Sequence, residues 1–147
     1  MKQIKLFEAF TGRPYIDRKA MASRKPVEIG YIKQPVEIRI EIEKHAHTMD
    51  RQWRHGLDEK ITDDEIIESV ELAVEQITID LMHDEFDVYD QKGELNRFII
   101  RNTENNLNIV CVLEPGEWEF KLIVITVMKK VDFKTNTGQY VVEVNPN

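Results

Sequence analysis

A chain of 147 residues that is 41% hydrophobic and 32% charged can fill one hydrophobic core but is too short for two, so a single folded domain is expected and wholesale disorder is excluded. The formal net charge of −7 argues against a generic polyanion binder, yet the sign is segregated along the chain. Residues 1–57 carry 12 Lys/Arg against 7 Asp/Glu, residues 58–94 carry 2 against 14, and residues 95–147 carry 6 of each, so only the front half attracts a phosphate.

The first 35 residues hold Gly12, Pro14, Pro26, Gly30 and Pro35 among the bases Arg18, Lys19, Arg24 and Lys25, which predicts an irregular basic arm ahead of one domain over 36–147. No apolar stretch has the length of a signal-peptide core or a membrane span. Cys111, the single cysteine, sits in an apolar run and has no intramolecular partner. A cytoplasmic location is expected, in a host's cytoplasm if the chain is viral, with no membrane contact.

Val36, Ile38, Ile40 and Ile42 alternate with Glu37, Arg39, Glu41 and Glu43, the period of a strand with one wet face. From about Lys44 the period lengthens: Ala46, Met49 and Trp53 recur at helical spacing and Gly56 follows, predicting a short helix that ends there. Thr62 and Glu65 form a capping box, with Ile61 and Ile66 in the staple positions and Asp63 and Asp64 at the positive helix end. The stripe Ile66, Val70, Ala73, Val74, Ile77 and Leu81 carries this second helix to about His83. Phe98–Ile100, Leu107–Leu113, Leu122–Met128 and Tyr140–Val144 read as strands between Gly, Asn and Pro clusters. The expected fold is α+β: two helices in the N-terminal half packed on one face of an antiparallel sheet.

At about 100° per helical residue, Arg51 falls about 40° from His47, Arg54 about −20° and His55 about 80°, while Ala46, Met49 and Trp53 fall opposite. Two imidazoles and two guanidiniums would then line one solvent-facing stripe. Arg offers fixed forks of donors to phosphate oxygens and His moves protons near neutral pH, which is the equipment of metal-independent RNA cleavage. The plainer reading is that Arg and His in the last turns of a helix simply neutralise its dipole, and periodicity does not separate the two. A metal set built on His45 and His47 with His55 or His83 lacks supporting ligands, so no metal or other cofactor is expected. No nucleotide-binding glycine loop or hydrolase signature occurs. Cys111 reads as a buried, inert thiol, and Asp80, Asp84, Glu85, Asp87 and Asp90 as a solvated helix end and turn.

The stretch from His47 through Arg51 and Arg54 to His55 and Gly56, followed by Ile61, Thr62 and an amphipathic helix, resembles the H-x-x-x-R-x-x-x-R signature of the RelE/ParE-like superfamily. That group includes the RegB-type early-transcript endoribonucleases of T4-type phages. Val124 to Val127 is similar to the strand that closes the family's sheet. The resemblance spans roughly residues 36–130. It implies a RelE-like fold of the barnase, EndoU, colicin and RelE type, and cleavage of messenger RNA to 2′,3′-cyclic phosphate and 5′-hydroxyl ends without metal. His47 would be base or acid and Arg51 the phosphate clamp, with Thr126, Lys129 and Lys130 flanking the site from the last core strands. The chain departs from the pattern where His55 stands in place of the second Arg and Arg54 precedes it by one. His55 then reads as either a second acid/base group or part of a drifted helix end.

Two other functions compete. A non-catalytic interaction module of the same fold would hold an antitoxin, the ribosome or a host protein through its acidic helix at Glu68, Glu71 and Glu75. A plain RNA binder would use Arg18, Lys19, Arg24 and Lys25 with the basic helix, and its affinity would fall steeply with salt.

Overall fold

The computed structural model describes residues 25–33, 37–44 and 61–145. Within them the chain is α+β, with one helix and a six-stranded mixed sheet. The strands are β1 (Lys25–Ile32), β2 (Ile38–Lys44), β3 (Phe98–Asn102), β4 (Leu107–Pro115), β5 (Phe120–Lys129) and β6 (Val141–Val144), and helix α1 spans Asp63–Met82. The short helix expected before Gly56, with His47, Arg51, Arg54 and His55, lies outside the described residues, as do Arg18 and Lys19 of the arm.

Helix α1 begins where the capping box predicts. The Glu65 amide donates to Thr62 Oγ1 at 3.1 Å, and Ile61 and Ile66 are both fully buried on either side of the cap. Its inner stripe, Ile66, Ser69, Val70, Ala73, Val74 and Ile77, is buried. At the other end the His83 amide and ring Nδ1 both lie against the Ile79 carbonyl, at 3.1 and 3.0 Å. The amide makes the last i→i−4 bond of the helix, and the ring sits over the same carbonyl.

The sheet order is β1-β2-β5-β4-β3-β6. The expectation of an antiparallel sheet is corrected here: β2 pairs with β5 and β3 with β6 in parallel, and the other three pairings are antiparallel. The chain between β2 and β5, which includes α1 and the β3–β4 hairpin, is long enough for the crossover that a parallel pair requires. Strand β1 is a second difference. It falls inside the segment expected to be irregular, and its antiparallel pairing to β2 places it in the same sheet as the rest.

Alternation decides the two faces. Ile38, Ile40 and Ile42 of β2, Leu122, Val124 and Val127 of β5, Leu107, Ile109, Cys111 and Leu113 of β4, Phe98 and Ile100 of β3, and Val142 and Val144 of β6 join the core under α1. Phe86 closes that core beyond the helix, edge-on to Phe98 at 4.9 Å and stacked on Tyr140 at 4.4 Å. On the opposite face Arg101 donates to Asn108 Oδ1 at 3.1 Å and to the Phe133 carbonyl at 2.9 Å. Those bonds pin the long β5–β6 connection across the sheet. Among the described residues no helix is long and apolar enough to cross a membrane.

Candidate functional site

Parallel pairing of β2 with β5 runs from Ile38 opposite Phe120 to Ile42 opposite Val124. The chain therefore leaves β2 at Lys44 on a level with the middle of β5. The part of β5 reached there is the segment that contains Thr126.

That segment is irregular. Val110 pairs with Thr126 but Cys111 with Val124, so Ile125 is the extra residue of a β-bulge. The extra residue resets the alternation, returning Val127 to the helix side and Thr126 to the far side. Thr126 Oγ1 is buried and has no hydrogen-bond partner among the described residues. A buried hydroxyl normally finds one, so Thr126 stands out near the level at which β2 ends.

Lys129 and Lys130 are placed differently. Lys129 sits on the helix face, its Nζ 3.0 Å from Glu65 Oε2. Three residues separate it from Thr126, an odd number along a strand, so the two side chains leave opposite faces and do not converge. Lys130 is exposed just past β5. Its backbone is fixed by Asn106, whose carbonyl accepts its N–H at 3.0 Å, and by Asn108 Nδ2, which donates to its carbonyl at 3.0 Å. Of the three flanking residues, then, Thr126 is turned to the far face, Lys129 is engaged by a carboxylate and Lys130 is open to solvent.

Asn108 is fully buried and holds this end of the sheet together. Its amide donates to the carbonyls of Asn106, Met128 and Lys130, and its oxygen accepts from Arg101. On the helix side Asn102 Nδ2 donates to Ser69 Oγ at 3.0 Å, also buried. The sequence gives no warning of these polar anchors, since Asn and Arg within apolar runs resemble solvent-facing positions until the partner strands are known.

Elsewhere three more described cations meet carboxylates. Arg39 bonds Glu28 and Glu119, Lys121 lies 3.6 Å from Glu41, and Arg101 lies 3.4 Å from Glu143. Hydrogen bonds and charge from Glu119, then from Glu28, raise the Arg39 pKa above its ordinary value. Cys111 is completely buried and desolvation pushes its thiol pKa well up, which leaves it inert as a nucleophile. Asp84, Glu85, Asp87 and Asp90 are exposed in the turn after α1. Asp80 is not merely solvated, because its carboxylate accepts from the Tyr140 hydroxyl.

Compared with known protein families, curated proteins and solved structures, the chain matches none of them.

Proposed function

We propose that the chain is a metal-independent endoribonuclease of the phage or toxin type, acting on messenger RNA. The supporting observation is the parallel β2–β5 pairing, which sends the chain toward His47 from a point beside Thr126 and its unpartnered hydroxyl. The reading carries with it a RelE-type arrangement in which a second helix bears His47 to His55.

In the proposed reaction His47 takes the proton of a ribose 2′-hydroxyl and the 2′-oxygen attacks phosphorus. Arg51 and Arg54 hold the non-bridging oxygens as charge builds on them. The bond from phosphorus to the 5′-oxygen breaks, His55 supplies that oxygen with a proton, and the products are a 2′,3′-cyclic phosphate and a 5′-hydroxyl. Thr126 donates to a phosphate oxygen, and Lys130 supplies local positive charge.

The test is incubation of the purified full chain with end-labelled messenger RNA in excess EDTA. Cleavage to cyclic-phosphate ends is expected, with a loss of at least a hundredfold in His47→Ala whose circular dichroism matches the parent. Cleavage that needs metal, or that persists in His47→Ala, would overturn the proposal.

A further inference from the structure

Helix α1 and strand β6 leave an open groove of about 410 Å³ between them, lined along the helix by Leu72, Glu75, Gln76 and Ile79 and along the strand by residues 142–145. Leu72 and Ile79, seven residues apart on one stripe, are 41% and 42% exposed. Two large apolar side chains are thus offered to solvent on the same wall.

The floor of the groove is a strand edge, because β6 ends the sheet among the described residues. The Ile99 amide donates to the Tyr140 carbonyl and the Thr103 amide to that of Val144. In a parallel ladder alternate residues serve one neighbour. Tyr140, Val142 and Val144 therefore serve β3, and Val141 and Glu143 turn their backbone groups to the open side. Such an edge is a template for another strand.

Charge chooses the occupant. Helix α1 contains Asp63, Asp64, Glu65, Glu68, Glu71, Glu75 and Asp80 with no Lys or Arg in its 20 residues, and Glu143 adds a 62% exposed carboxylate from the strand. We propose that this groove binds an extended segment of a partner protein in which basic and apolar residues alternate, adding to β6 as a further strand. Its apolar side chains lie on Leu72 and Ile79 on the α1 side, its basic side chains leave the other face beside Glu143, and the Glu75 carboxylate on α1 adds negative potential along the groove. Thr126 on β5 is three strands away in the sheet order, roughly 14 Å, so the partner leaves the proposed ribonuclease site open. The inference stands independently of that site.

The probe is a fluorescein-labelled peptide, Lys-Val-Lys-Val-Lys-Thr, titrated with the full chain and followed by anisotropy, together with amide hydrogen exchange of the free and loaded protein. Saturable binding is expected, at least tenfold weaker for Glu75→Lys/Glu143→Lys and for the same peptide N-methylated at alternate amides. The amides of Val141 and Glu143 should exchange freely without peptide and become protected with it. Equal binding of a peptide with Glu for each Lys, indifference to N-methylation, or absence of binding would overturn the inference. Protection of both amides in the free protein would do the same, since the edge would already be occupied.

Discussion

Lys129 Nζ lies 3.0 Å from Glu65 Oε2, joining the last residue of β5 to the first turn of α1. Glu65 thus combines two roles: its amide is capped by Thr62, and its carboxylate meets the nearby lysine. Both side chains keep some solvent contact, at 21% and 28% exposure, although Glu65 Oε2 itself is buried; screening through the exposed parts limits what the pair contributes. Glu65→Gln should cost no more than about 1 kcal/mol in urea unfolding. A loss above about 3 kcal/mol would show that the pair acts as a buried one.

Thr126 offers a separation of stability from function. Its hydroxyl has no partner among the described residues, so replacing it with a methyl removes an unpaid desolvation cost. Thr126→Val should unfold at the same denaturant concentration as the parent or a higher one, by up to about 1 kcal/mol, while cleaving RNA at least tenfold more slowly. Lower stability would mean that the hydroxyl is satisfied in the folded chain.

Ser69 and Asn102 make a buried side-chain hydrogen bond between α1 and β3. Asn102 Oδ1 also accepts from the Glu104 amide at 3.0 Å, so the side chain fixes the β3–β4 turn as well as the helix. Ser69→Ala strands the Asn102 amide without its acceptor, an expected loss of about 1–3 kcal/mol. Asn102→Ala should cost more, and the double variant less than the sum of the two singles, as a double-mutant cycle would measure.

Tyr140 has its hydroxyl pKa raised, by burial first and then by the hydrogen bond and charge of Asp80. The unfolded phenol loses its proton near pH 10, where the folded one retains it. The folded state then binds more protons, and stability must fall as pH rises above about 10. Cys111, raised by burial, contributes a slope of the same sign. The comparison that isolates the phenol is therefore Tyr140→Phe against the parent, from pH 8 to 11. The parent should be the more stable at pH 8 and begin to lose that advantage between pH 10 and 11; a constant difference would refute the assignment.

Gly30 on β1 has no room for a side chain. A Cβ there would come within 2.9 Å of Ile67 Cγ1 on α1 and 3.0 Å of its Cδ1, so this glycine lets helix and strand approach. Gly30→Val should destabilise by about 1–3 kcal/mol through overpacking. Adding Ile67→Ala should recover part of the loss in thermal or urea unfolding.

Local patterns were sufficient for α1 and for the strands from β2 onward. A capping box fixes where a helix starts, and a period of two fixes which residues of a strand share a face, because both depend on neighbours in the chain. The charge segregation is equally a property of the sequence, and it explains why α1 presents an acidic outer surface. Strand β1 was hidden, since Pro26 and Gly30 are ordinary loop residues until β2 lies alongside as a partner strand. Residues His47, Arg51, Arg54 and His55 are a sequence-level pattern, and they fall outside the described residues. Tertiary structure alone decided the parallel pairing of β2 with β5, the bulge at Ile125 that turns Thr126 away from the helix face, and the edge that β6 leaves open among the described residues. The physical reason is common to all three. A strand's own sequence sets the faces it presents, but its partner, direction and register are settled by hydrogen bonds to segments far along the chain.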